Sequence, residues 1–136
     1  MTDGDVFRLD GYRALVTGAS RGIGQAIAVA FARAGADVGL LARNVSSLRA
    51  TAADVEACGQ RAIVVPVDVQ EVSRLEAAVD RVANALQGID LLVNSAGVFF
   101  HTAIDDLTPE QFALVLDTNL RAPLFAMQAA RPHMRA

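Results

Sequence analysis

"TGASRGIG", residues 17–24, is the stretch from which the rest of the chain is read. It closes a short apolar run, 13–17 ("RALVT"), and opens an amphipathic one in which Ile23, Ala26, Ile27, Ala30, Phe31 and Ala34 recur at helical spacing. Gly18, Gly22 and Gly24 let the backbone turn tightly between the two. A turn of this kind meets the free N–H groups and the positive dipole end of the helix it opens, a setting suited to a phosphate. The spacing is G-x-x-x-G-x-G, which is neither the G-x-G-x-x-G dinucleotide fingerprint nor a Walker loop ending in G-K-[ST]. Taken alone, the triplet also fits a tight turn that holds no ligand.

Outward from the loop, strand and helix alternate. Residues 37–42 ("DVGLLA"), 61–67 ("RAIVVPV") and 90–94 ("DLLVN") join 13–17 as apolar runs of strand length. Near-continuous apolar strands predict a parallel sheet covered on both faces. Helical patterns lie between them, over about 46–58 (Leu48, Ala52, Val55) and about 71–87 (Val72, Leu75, Val79, Val82, Leu86), and Gly35, Gly59 and Gly88 stop the three helices. Residues 95–107 read as a loop. "TPEQ" at 108–111 then reads as a capping box, with helix continuing to about 131 and a kink near Pro123. No repeat, linker or low-complexity segment interrupts this βαβαβαβ order, so 1–136 reads as one domain.

Composition excludes several classes. With 53% hydrophobic and 20% charged residues the chain can build a core, unlike disordered sequences. A formal net charge of −3 argues against a nucleic-acid or anionic-membrane surface. The one cysteine, Cys58, cannot form an internal disulfide, and "MTDGDVFRLDGYR" has neither the basic start nor the apolar core of a signal peptide. No run is long enough to span a membrane, and nothing has metal-ligand spacing. A soluble, cytoplasmic protein is expected.

Three short segments fall at the carboxyl ends of predicted strands, where a doubly wound sheet binds its ligand: the glycine loop, Asp68–Val69 and "NSAG" at 94–97. With these in order and spacing, the chain resembles the short-chain dehydrogenase/reductase family from about residue 8 to the end. The resemblance implies a Rossmann-like, doubly wound α/β sheet in three layers, with strand order 3-2-1-4. It implies a nicotinamide dinucleotide on Gly18, Gly22 and Gly24, with Ser20 and Ile23 close to the phosphates. Asp68 would receive the adenine amino group, with Val69 beside it. Asn94, Ala96 and Gly97 match the family's N-N-A-G motif near the ribose and nicotinamide, with Ser95 as a mild departure. Asn119, in "LDTNL", matches the helical asparagine of the catalytic tetrad. Asn94 also has a purely structural reading as a strand-end bracket on neighbouring backbone, and Asp68 as the cap of a turn.

The end of the second strand, "LLARN", speaks to which dinucleotide. An NAD site calls for an acid here to accept the ribose 2′-OH. The position offers Arg43 instead, and Arg21 sits inside the glycine loop. Guanidinium groups suit a phosphate dianion, so NADP(H) is expected over NAD(H), although both arginines also fit solvated surface charges.

Carbonyl reduction by hydride needs a group that delivers a proton to the developing alkoxide. In the resembling family a Tyr-x-x-x-Lys pair and an upstream serine do this. All twelve basic residues here are arginine and the single tyrosine is Tyr12, ahead of the first strand. The pair cannot exist within these residues. Loop residue His101 is a weak substitute, and His133, Asp105, Asp106 and Glu110 look like surface groups. Strand 4 would end the sheet as an open edge, and the last helix, carrying Leu114, Val115, Leu120, Leu124, Phe125 and Met127, would lose part of its cover and show apolar surface, compatible with homo-oligomers. The expectation is therefore the NADP(H)-binding N-terminal part of an oxidoreductase acting on a small carbonyl or secondary alcohol, its fold cut after the helix that follows strand 4. The opening segment looks like subgroups acting on 3-oxoacyl thioesters or on sugar acids and polyols. The alternative is a catalytically inactive dinucleotide-binding or interaction module.

Overall fold

A computed structural model describes residues 7–134; the ends of the predicted 1–136 domain, 1–6 and 135–136, lie outside the described residues. Four strands, β1 (Arg13–Thr17), β2 (Asp37–Ala42), β3 (Ala62–Pro66) and β4 (Leu91–Asn94), form one sheet in the order β3-β2-β1-β4. Every pairing is parallel, with Val16 beside Leu40 on one side and Val93 on the other. Helices α1 (Gly22–Ala34), α2 (Val45–Glu56) and α3 (Val72–Leu86) make the crossovers. This is the expected Rossmann-like doubly wound sheet.

The two-residue period of the strands divides the core. Leu15, Leu41 and Val65 face α3 and the last helix, where Leu75, Val79, Val82 and Ala126 meet them. Ala14, Val16, Val38 and Leu40 face α1 and α2, against Ala28, Ala32, Leu48 and Val55. The predicted faces of α2 and α3 are the buried ones. That of α1 differs. Its buried residues are Gly24, Ala28 and Ala32, whereas Ile23 is 76% exposed. In a helix this rich in alanine and isoleucine, apolar spacing fits more than one face, and close approach to the sheet selected the smallest side chains.

The region after β4 also departs from expectation. A short 3₁₀ turn (Ile104–Asp106) breaks the loop, and Thr108 then starts α4 (Pro109–Leu116) with the predicted capping box. The helix does not run on unbroken. A π segment, Asp117–Arg121, separates α4 from α5 (Ala122–Ala130), and the Ala122 N–H reaches the Asp117 carbonyl. Pro123 supplies the reason: without an N–H it cannot serve the carbonyl four residues back, so the ladder is re-registered just before it. The extra residue has a second effect. Phe112 and Leu124 are twelve residues apart, over which an α-helix drifts by about 120°, and one added residue takes back about 100°. Phe112, Leu116, Leu120, Leu124 and Met127 are all exposed, at 40–65%, and form one apolar stripe.

At the amino end of the sheet lies a feature with no sequence signal. Arg13, only 6% exposed, donates from Nε to Asp90 Oδ2 at 2.7 Å and from a terminal nitrogen to Oδ1 at 2.8 Å. Its backbone N–H reaches the same carboxylate at 2.9 Å, and its other terminal nitrogen donates to the Gln87 carbonyl. Hydrogen bonding to Asp90 raises the Arg13 pKa above its ordinary value, against the opposing effect of burial. The pair pins β1 to the start of β4. Just before β4, Ile89 makes an isolated parallel bridge to Met134, with Ile89 N–H on the His133 carbonyl at 3.0 Å. The His133 ring meets Asp80 of α3 at 2.7 Å.

Candidate dinucleotide site

Register sets the stage for the site. Thr17, the last residue of β1, pairs with Leu41 and Asn94, and Ala42 pairs with Pro66, so all four strands end nearly level. The glycine loop, Arg43, Asp68 and the 94–97 segment leave from those ends. Tyr12 precedes the opposite end of β1.

Within the loop, Gly18 and Gly22 have φ of +67° and +58°, in the left-handed region where a side chain is strained. Gly18 is also packed tight: a Cβ there would lie 2.7 Å from the Ala96 nitrogen. A Cβ on Gly24 would press on the Gly18 carbonyl oxygen. The loop can therefore lie flat against the 95–97 segment only with glycines at both places. Arg21 is the N-cap of α1, no side chain caps the helix and no acid sits in its first turn. First-turn N–H donors are thus left to an outside acceptor.

Two threonines hold this surface in place. Thr17 Oγ1 accepts the N–H groups of Ser95 at 3.1 Å and Ala96 at 3.2 Å. Thr51 of α2, fully buried, donates to the Ala19 carbonyl at 2.9 Å. Ala19 N–H in turn reaches the Leu41 carbonyl at 3.1 Å. On the far side, Asn119 Oδ1 accepts the Val98 N–H at 2.9 Å while its Nδ2 donates to the Val98 carbonyl at 2.8 Å. The side chain of Asn119 is thus an amide-to-amide clamp on the backbone one residue past Gly97.

The predicted residues fall into two groups. Gly18, Gly22, Gly24, Asn94, Ala96, Gly97 and Asn119 gather where β1 and β4 end, with Ser20, Arg21 and Ile23 at the loop's outer side. Arg43 and Asp68 meet instead in an open groove of about 520 Å³ beside β3. Arg21 and Arg43 are exposed and have no carboxylate partner among the described residues. Asp68 is half-buried and accepts the Gln70 N–H through Oδ1 at 3.0 Å, so the turn-capping reading is realised; its other oxygen has no such bond. Val69 beside it is buried. Asn94 is exposed and makes no side-chain hydrogen bond among the described residues. The bracketing bonds to the backbone after β4 are made instead by Thr17 and Asn119.

Sequence reasoning missed Thr17, Thr51 and Asn44, the last capping α2 at the Ser47 N–H at 2.9 Å. Thr17 had a signal, being a polar residue placed straight after the apolar run 14–16 at the strand's carboxyl end. Thr51 had none, since a threonine inside a helix reads as surface. His101 is exposed and stacks edge-on against Phe99 at 5.5 Å. Among the described residues no group of three or more His, Cys, Asp or Glu could hold a metal, and no helix is long and apolar enough to cross a membrane.

Residues 12–136 match the family model of the short chain dehydrogenases. The chain belongs to the short-chain dehydrogenase/reductase family. Galactitol 2-dehydrogenase of Agrobacterium fabrum is 40% identical over 122 residues, which are 90% of this chain and 46% of that enzyme. A short-chain dehydrogenase of Burkholderia cenocepacia, solved in complex with NADP, superposes with a TM-score of 0.90 at 46% identity, over 93% of this chain and 52% of its own. One from Mycobacterium paratuberculosis, bound to NAD, gives 0.89 at 34%, over 93% and 52%. The chain thus spans about half the length of the short-chain dehydrogenases it matches. Both nicotinamide dinucleotides occur among these neighbours.

Proposed function

We propose that residues 1–136 form the NADP(H)-binding domain of a short-chain dehydrogenase that moves hydride between the nicotinamide and a small carbonyl compound or secondary alcohol. When bound, the dinucleotide supplies or accepts the hydride. The chain's own residues bind and orient it. Gly18, Gly22 and Gly24, with Ser20 and Ile23, take the pyrophosphate on the uncapped start of α1. Asp68 offers its unengaged oxygen to the adenine amino group beside Val69, and Asn94, Ala96 and Gly97 border the ribose and nicotinamide. Asn119 belongs to the catalytic group by family, and here its side chain fixes the Val98 backbone at the floor of that site. A polyol substrate suits the resemblance to galactitol 2-dehydrogenase. The protein is assigned to the cytoplasm, with no nucleic-acid or membrane partner. The exposed stripe from Phe112 to Met127 is assigned to self-association.

One observation carries the choice of NADP(H): Arg43 stands at the end of β2, unpaired, where an NAD site would place an acid, and shares its groove with Asp68. Isothermal titration with both cofactors tests it. NADPH should bind more tightly than NADH, and Arg43→Ala should weaken NADPH about 10- to 100-fold, as loss of a charge-assisted hydrogen bond implies. NADH should be nearly unaffected. A preference for NADH in the unsubstituted protein overturns the assignment.

A second reading has an observation behind it. These 136 residues hold no lysine and no tyrosine at the site, so they bind the cofactor without supplying the proton donor. A turnover assay with NADPH and simple ketones separates binding module from enzyme, since measurable hydride transfer would exclude the module.

A further inference from the structure

Arginine pairing is uneven over this molecule. Arg8, Arg13, Arg61, Arg74 and Arg121 each have a carboxylate partner. Arg21, Arg33, Arg43, Arg49, Arg81 and Arg131 have none among the described residues, although the chain holds 15 acids against 12 bases. Two of these, Arg49 and Arg81, meet at the outer edge of β3. Arg49 comes from α2 on one face of the sheet and Arg81 from α3 on the other, yet both line a depression of about 580 Å³ together with Val64 and Pro66. Arg81 and Pro66 also border the groove of about 520 Å³ that holds Arg43. The two depressions are neighbours that share Arg81 and Pro66, and the one lined by both Arg49 and Arg81 is a trough at the strand edge. Glu56 lines the α2 side without pairing to either arginine, and Arg74, on the α3 side, is taken up by Glu71 at 3.1 Å.

Pro66 already blunts this edge against strand addition, so protection of the edge does not require two unpaired guanidinium groups. In the depression they share, the two guanidinium groups face a single carboxylate, Glu56, and leave a positive excess. Guanidinium forks are suited to phosphate oxygens, and two that reach around a strand suit a ligand with more than one.

We propose that the trough around β3 is a second anion site, taking a small molecule with at least two phosphate groups held between Arg49 and Arg81, distinct from the glycine loop. Its occupant ties α2 to α3 across the sheet edge. The site does not depend on which dinucleotide the glycine loop takes.

The probe is inorganic pyrophosphate, titrated calorimetrically into the protein already saturated with NADPH. One saturable site is expected, weakened at least tenfold by Arg49→Gln and by Arg81→Gln, and removed in the double variant. Arg33→Gln, which removes an exposed and likewise unpaired arginine on α1, should leave it unchanged, and NADPH affinity should be the same in all four variants. Equal weakening by Arg33→Gln would mean general screening and overturn the proposal. So would the absence of saturable binding, or binding that survives the double variant and disappears in Arg43→Ala, which would place the anion in the cofactor site.

Discussion

Thr17→Val tests whether the floor of the dinucleotide site is held by one hydroxyl. Valine keeps the volume and β-branched shape of threonine, so neither a cavity nor a strand penalty is introduced. What is lost is the acceptor for the Ser95 and Ala96 N–H groups, at 3.1 and 3.2 Å. The bond from Thr17 to the Val93 carbonyl, at 3.5 Å, is long enough to count for little. Two ordinary hydrogen bonds at about 1 kcal/mol each give about 2 kcal/mol. Ser95 and Ala96 are half-buried, so water can replace part of the bonding and the larger penalty for sealed orphan donors does not apply. The expected loss corresponds to a roughly 30-fold change in the folding equilibrium, or on the order of 7 °C in Tm for a chain of this length. Urea unfolding followed by far-ultraviolet circular dichroism reads it, and NADPH titration should show weaker binding as the 95–97 backbone loosens. Thr17→Ser should restore most of both. A valine variant within about 0.5 kcal/mol of the parent, or a serine variant as damaged as the valine, would refute the reasoning.

Gly24→Ala should lower dinucleotide affinity at least tenfold while leaving the circular dichroism spectrum of the sheet and helices unchanged, because the new methyl meets backbone at Gly18 that has no room to yield. Asp90→Ala should cost about 3–5 kcal/mol in urea unfolding, since it leaves the Arg13 guanidinium buried without its carboxylate. The pair Arg13→Met with Asp90→Leu should recover most of that loss. If the exposed stripe mediates self-association, Phe112→Glu combined with Leu124→Glu should shift sedimentation velocity toward the monomer at micromolar concentration, with the fold retained because both side chains are largely in solvent.

Much of the fold was legible because it rests on local, periodic signals. The four strands and the helices between them announced themselves through apolar runs, helical spacing and the glycines at their ends, and "TPEQ" marked its helix start through capping chemistry. The face of α1 was misread because apolar spacing there is degenerate, and size rather than polarity chose Gly24, Ala28 and Ala32 for the sheet. The π segment was anticipated only as a kink near Pro123, since the sequence shows the missing N–H but not how the ladder will repair itself.

For the site, the sequence by itself determined the residue types a dinucleotide needs: glycines after the first strand, an arginine after the second, an aspartate after the third and "NSAG" after the fourth. Each of those signals is local to one strand end, so each survives reading one segment at a time. Only the tertiary structure decided which side chains lock the segments to one another. Thr17 rather than Asn94 brackets the fourth strand's exit, Asn119 clamps Val98 from a helix twenty-one residues on, and Arg13 finds Asp90 across seventy-seven. Such contacts depend on strand register and on which way a single side chain points. Neither is encoded in the spacing of residues along the chain, because both are settled only when the sheet has closed and the helices have packed onto its faces.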